Sequence, residues 1–157
     1  MVNSKQIGFT LVELIMVIVM LGTLSVTALP KFFEKNTFAE RAFFDDTLNA
    51  IRYAQKLAVA TGCSVKVSIS SDSYSLVRQG SSASGSCPGG SSYSLEVSHP
   101  SSGASSYTGS ESGITLTSSP SSFIFSPLGT VSADAILTVA GSKTINVISE
   151  TGFVYVP

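Results

Sequence analysis

From Phe9 to Leu29 the chain runs for 21 residues with one charge, Glu13. An apolar helix of that length reaches ~30 Å at ~1.5 Å per residue, the thickness of a bilayer's hydrocarbon core. A run that is apolar on every side has to be covered by lipid or by other helices. Two ordinary readings are a transmembrane segment and a secretory signal. Glu13 fits neither. A carboxylate inside an apolar helix is costly, and by default it marks a functional site that needs a partner. The signal-peptide reading also lacks a strong basic start, since Lys5 stands alone before the run. No compelling small-x-small cleavage site follows it, because Thr27-Ala28-Leu29 leads into Pro30-Lys31-Phe32-Phe33.

The stretch Gly8-Phe9-Thr10-Leu11-Val12-Glu13 resembles the processing motif of type IV pilins and type II secretion pseudopilins. The resemblance implies cleavage after Gly8 by a prepilin peptidase on the cytoplasmic face, then N-methylation of the new terminus, Phe9. It implies that Glu13 pairs with the N-terminal amine of a neighbouring subunit during assembly, so that a buried charge sets register. The implied partners are other pilin subunits, met through the N-terminal helix, the prepilin peptidase and the inner-membrane assembly machinery. The implied location is the inner membrane, crossed once with the C-terminal domain in the periplasm, and afterwards the pilus at the cell surface.

Residues 1–8 read as a leader and 9–61 as one long helix. Its first part, 9–29, belongs to membrane or filament core. Gly22 and Pro30 are its weak points, and Pro30 should kink it by removing a donor and crowding the preceding turn. Over 30–61 the apolar residues Phe43, Phe44, Leu48, Ile51, Ala54, Leu57 and Ala58 recur at three- and four-residue steps. That pattern predicts an amphipathic helix needing a partner surface. Thr61-Gly62 should end it.

From 62 to 157 the period changes to two. Cys63, Val65, Val67 and Ile69 alternate with polar residues, and Tyr74–Arg78 returns as the second strand of a hairpin. Further short strands are expected at 93–97, 114–116, 122–125, 135–139, 144–148 and 153–156. The Ser/Gly-rich stretches 80–92 and 98–113 read as loops. The predicted fold class is α+β, with a long helix on an antiparallel β domain of two packed sheets. The helix end, Phe123–Gly129 and the closing Ile145–Val154 resemble in their order the GspH/FimT branch of minor pilins and pseudopilins. Ala28–Phe32 and Glu40–Asp45 resemble most the minor pilins of the mannose-sensitive haemagglutinin (MSHA) pilus.

Charge and chemistry narrow the function. Beyond the helix, Lys66, Arg78 and Lys143 face five acids, Asp72, Glu96, Glu111, Asp134 and Glu150. That balance lacks the basic stripe of a nucleic-acid binder, so no nucleic-acid partner is expected. Two cysteines in an exported domain, Cys63 and Cys87, suggest one disulfide, the alternative being two free thiols. Their number and spacing do not resemble a zinc site, and no cofactor is expected. His99, the one histidine, reads as a solvated loop residue. No serine sits in a nucleophile elbow, and Asp45-Asp46 point about 100° apart on a helix, so no enzyme is expected. Gly80, Gly89 and Gly90 precede no helix and make no phosphate cradle. Tyr74, Tyr93 and Tyr107 suit strand faces better than a sugar-binding surface. The expected role is a filament subunit that supports pilus biogenesis and surface adhesion. A secretion pseudopilin or an anchored adhesin stands as the alternative.

Overall fold

In the computed structural model, the elements change type where the hydrophobic period changes. The described residues are 9–33, 35–80, 87 and 92–157, and side chains are described outside 26–36. Gly8 with the rest of the leader, and Gly89 and Gly90, lie outside them. The chain forms two compact units, Met1–Phe38 and Ala39–Pro157.

The first unit holds helix α1, Leu11–Phe33. Thr10 opens it: its carbonyl accepts the Leu14 N–H at 3.1 Å, and its Oγ1 accepts the Glu13 N–H at 3.3 Å. This supplies one of the donors that a helix N-terminus leaves unpaired. The helix continues through Gly22 and Pro30 to Phe33. The stretch expected as a single helix is described as two, with residue 34 outside the described residues. Helix α2 spans Lys35–Thr61, and Gly62 follows with φ of 66°.

The second unit is built on α2. Its innermost positions are Phe43, Thr47, Ala50, Ile51, Ala54 and Ala58, while Phe44, Leu48 and Leu57 sit at the margin. The expected stripe is the face that packs on the core, with Phe43, Ile51, Ala54 and Ala58 fully inside it and Ala50 and Thr47 added. Three alanines at four-residue steps let the helix axis approach a sheet closely. Thr47, the one buried polar residue among the described residues, satisfies its hydroxyl by donating to the Phe43 carbonyl at 2.7 Å.

The first sheet contains β1 (Val65–Ser70), β2 (Ser73–Arg78), β3 (Leu95–Glu96), β4 (Tyr107–Ser110) and β6 (Ser122–Phe125), in the order β3-β2-β1-β6 with β4 also on β2. The second contains β5 (Leu116–Ser119), β7 (Ala135–Val139), β8 (Lys143–Val147) and β9 (Val154–Tyr155), in the order β5-β7-β8-β9. Every strand pairing is antiparallel. Val65, Val67, Tyr74, Leu76, Phe123 and Phe125 from the first sheet share one core with Leu116, Leu137, Val139, Ile145 and Val147 from the second. The α+β class and the two antiparallel sheets are those expected.

Three stretches differ from the sequence reading, of which the simplest is the strand expected over 114–116, found instead at Leu116–Ser119. The loop expected over 98–113 contains β4, whose Tyr107 pairs with Leu76 and whose Gly109 pairs with Tyr74. Its alternation is hidden because an inward tyrosine is followed by a glycine instead of a second apolar residue. Gly109 is there for space: a Cβ at that position would run into the Tyr74 ring. The strand expected over 93–97 shortens to Leu95–Glu96, with Tyr93 making only an isolated bridge to Gly80.

Candidate functional site

Helix α1 presents apolar side chains on all sides. Every large one described from Leu11 to Leu24 is exposed, from 46% for Val17 to 73% for Leu11, and Phe9 before them is 79% exposed. Its polar side chains are satisfied within the helix. Thr23 Oγ1 donates to the Met20 carbonyl at 2.9 Å, and Ser25 Oγ donates to the Leu21 carbonyl at 2.7 Å. Such back-bonding makes a hydroxyl tolerable where no water is present. Glu13 is the exception. Its backbone N–H is held by Thr10, but among the described residues its carboxylate has no hydrogen-bond or ion-pair partner. It lies one turn past Phe9, where an amine created at that residue would be closest. Gly22 is exposed with open space where a Cβ would stand. Pro30 is inside α1, where it withholds one backbone donor. Among the described residues no helix is long and apolar enough to cross a membrane. The side chains described on α1 end at Ser25, which leaves roughly 22 Å of helix at ~1.5 Å per residue.

The Thr10 cap has a signature in the sequence. Thr10-Leu11-Val12-Glu13 has the spacing of a capping box, and the same four residues lie within the processing motif.

In the second unit Cys63 and Cys87 are bonded, with Cα atoms 5.5 Å apart. Cys63 is buried at the junction of α2 and β1, so the bond ties the chain around Cys87 to the place where helix becomes sheet. Of the two open alternatives for these cysteines, the disulfide is the one present.

An aromatic cluster seats α2 on the first sheet. The Tyr74 hydroxyl donates to Asp46 Oδ2. The Tyr74 ring lies 6.2 Å from Phe43 and 6.1 Å from Tyr107, and Tyr107 lies 5.5 Å from Tyr53. Burial first, then the Asp46 carboxylate beside it, pushes the Tyr74 hydroxyl far above its usual pKa. Burial and the same carboxylate also push Tyr107 up. Tyr74 and Tyr107 are therefore core residues, at 2% and 3% exposure, and offer no sugar-binding face. Asp46 is half-buried and serves as an acceptor. His99 is not simply solvated either. It packs on Tyr107 at 4.3 Å, and its Nδ1 accepts the N–H groups of Ser101 and Ser102, each at 3.2 Å. A lone histidine in a serine-rich loop gives no sign in sequence that it closes a turn over a tyrosine.

Gln55 joins α2 to two turns, donating from Nε2 to the carbonyls of Gly129 at 3.0 Å and Thr151 at 3.2 Å. Gly152 is required where these turns meet, since a Cβ there would strike the Gly129 carbonyl oxygen and Gln55 Nε2. Asp134 accepts the Ser149 N–H at 2.6 Å, which lowers its carboxyl below the usual range. Among the described residues no group of three or more His, Cys, Asp or Glu is placed to hold a metal ion.

The N-terminal region, residues 3–29, matches the family model described as the prokaryotic N-terminal methylation motif. No curated protein matches the sequence. Two crystal forms of the type IV minor pilin FimU of Pseudomonas aeruginosa (strain PAO1) resemble the structure, each at 12% identity. In one the match covers 80% of this chain and 92% of FimU with a TM-score of 0.50. In the other the figures are 77%, 91% and 0.48. The first shows a shared fold.

Proposed function

We propose that this chain is a minor pilin of an MSHA-like (MshC-like) type IV pilus, cut after Gly8 by a prepilin peptidase, methylated at Phe9 and assembled through α1. The observation that carries this reading is the helix itself: apolar on every side, internally satisfied in its hydroxyls, and interrupted by one unpartnered carboxylate. The methylation motif on residues 3–29 and the fold shared with a minor pilin support it, and both belong to structural subunits rather than enzymes.

The mechanism follows from burial. Before assembly the apolar run holds the subunit in the inner membrane, with the β domain on the periplasmic side. The domains are then the 1–8 leader, the 9–61 helical segment and the 62–157 β domain. Leaving lipid exposes the ten large apolar side chains from Leu11 to Leu21, and packing against neighbouring helices covers them again. At ~1.5–3 kcal/mol for each side chain fully buried, with each about half exposed, the gross gain is of order 10–20 kcal/mol before ordering and association costs. Hydrophobic burial has no direction and does not set register. Glu13 does: it accepts the Phe9 amine of a neighbouring subunit, and any slipped arrangement leaves a carboxylate buried without a cation.

The experiment compares Glu13→Ala with the natural chain in cells with and without prepilin peptidase, by intact mass and by recovery in sheared filaments. The natural chain should begin at methylated Phe9 only when the peptidase is present, and should be found in filaments. Glu13→Ala should be cut and retained in the membrane fraction but excluded from filaments. Normal incorporation of Glu13→Ala removes the docking role. An N-terminus independent of the peptidase removes the pilin reading.

A further inference from the structure

We propose that the cavity between the start of α2 and the β7–β8 turn is a docking site for an acidic side chain of a neighbouring filament subunit, with Lys143 as its cation. The inference rests on the filament reading above and adds a second contact, made by the β domain rather than by α1.

The cavity has a volume of about 470 Å³, and its walls include Arg41, Phe44, Asp45, Lys143, Thr144 and Val156. Lys143 is the unusual member. Its Nζ is closed off from solvent and, among the described residues, has no hydrogen-bond partner. Among the described residues its one compensation is the ring of Phe44, 5.9 Å from the ammonium, and a cation over an aromatic face leaves all three N–H donors unused. Asp45 lines the same cavity without reaching Nζ, and Arg41 adds a second cation to its wall. A withdrawn ammonium without acceptors is expensive, whereas one met by a carboxylate is a strong charge-assisted pair. Ser142 and Thr144, two hydroxyl residues, also line the cavity.

The fold also shows how a subunit built this way presents the complementary charge. Lys143 pairs with Val139 at one end of the β7–β8 ladder, and Val147 pairs with Ala135 at the other, roughly 13 Å away at ~3.3 Å per residue. Asp134 precedes Ala135, and Glu150 stands exposed in the turn after Val147. Lys143 thus sits at one end of this pair of strands, and Asp134 and Glu150 lie beyond the other. Two different surfaces that meet repeatedly form a heterologous contact, the kind that builds open filaments.

The test is zero-length carbodiimide cross-linking of the full chain in assembled filaments, read by peptide mass spectrometry, with the Lys143→Met and Lys143→Arg variants alongside. The expected product joins Lys143 Nζ to an Asp or Glu of another subunit. Lys143→Met should be processed normally, melt at or above the natural chain's temperature, and fall at least tenfold in filament recovery, with Lys143→Arg recovering much of that loss. A link only to Asp45 of the same chain, no link at Lys143 while other lysines react, or full recovery of Lys143→Met overturns the proposal. So does unfolding of Lys143→Met, which would give the ammonium a role within its own domain. If the chain escapes the peptidase and never enters filaments, the filament reading has failed and this contact falls with it. Processing and incorporation regardless of Lys143 remove the contact alone.

Discussion

Removing one oxygen tests how the helix is seated on the sheet. Tyr74→Phe keeps the ring against Phe43 and Tyr107 and deletes only the hydroxyl that donates to Asp46. A hydrogen bond to a charged group contributes ~1.5–3 kcal/mol. Asp46 is only half-buried, so water replaces part of the loss, and the cost at pH 8 should be about 1.5 kcal/mol. The cost should then change with pH. Burial and Asp46 raise the Tyr74 pKa above its unfolded value of ~10. The folded chain therefore keeps a proton that the unfolded chain releases. That contribution is complete below pH ~10 and declines above it by ~1.4 kcal/mol per pH unit. Phenylalanine has no proton to lose, so the deficit of Tyr74→Phe should vanish near pH ~11 and reverse slightly by pH ~11.5. Tyr107 is raised as well, but it is common to both chains and cancels. The assay is urea unfolding of the full chain in detergent at pH 8, 10, 11 and 11.5, with the disulfide intact. A deficit that stays constant across this range, or no deficit at pH 8, would refute the account of Tyr74 as a buried, protonated donor.

Two further perturbations probe the same domain. Gly109→Ala drives a methyl into the Tyr74 ring and should lower stability by about 1–3 kcal/mol; an unchanged urea midpoint would show that the ring has room to move aside. Reducing the Cys63–Cys87 bond, which links residues 24 apart, should cost roughly 3 kcal/mol in the chain-entropy model, read as a fall in the urea midpoint, and replacing both cysteines by alanine should give a similar loss.

What could be read in advance depended on whether a residue's role is local. The hydroxyl of Thr10 reaches Glu13 three residues on, so its cap is written in adjacent letters. The β1–β2 hairpin was legible because Val65 and Val67 alternate with polar neighbours and meet Tyr74 and Leu76 across a short turn. β4 was hidden because its pairing depends on Tyr74, 35 residues earlier than its own Gly109. Lys143 reads as an ordinary turn lysine, and only the proximity of Phe44, on a helix a hundred residues earlier, makes its ammonium unusual. Asp46 is engaged by Tyr74 on β2, and His99 looked solvated because its partner Tyr107, though only eight residues on, lies in β4, the strand whose pattern is hidden.

The sequence by itself determined that a long apolar helix precedes a β domain, because hydrophobic period and length are properties of neighbouring residues. It also marked Glu13 as a charge in need of a partner, since an isolated carboxylate in an apolar run is costly wherever the run lies. The face of α2 that is buried was also legible in its three- and four-residue steps; only the tertiary structure decided where the centre of that face lies, with Ala50, Ala54 and Ala58 inside and Phe44 and Leu48 at the margin. Close packing of a helix on a sheet selects small side chains at the line of contact, and that line is drawn by the sheet opposite, not by the helix.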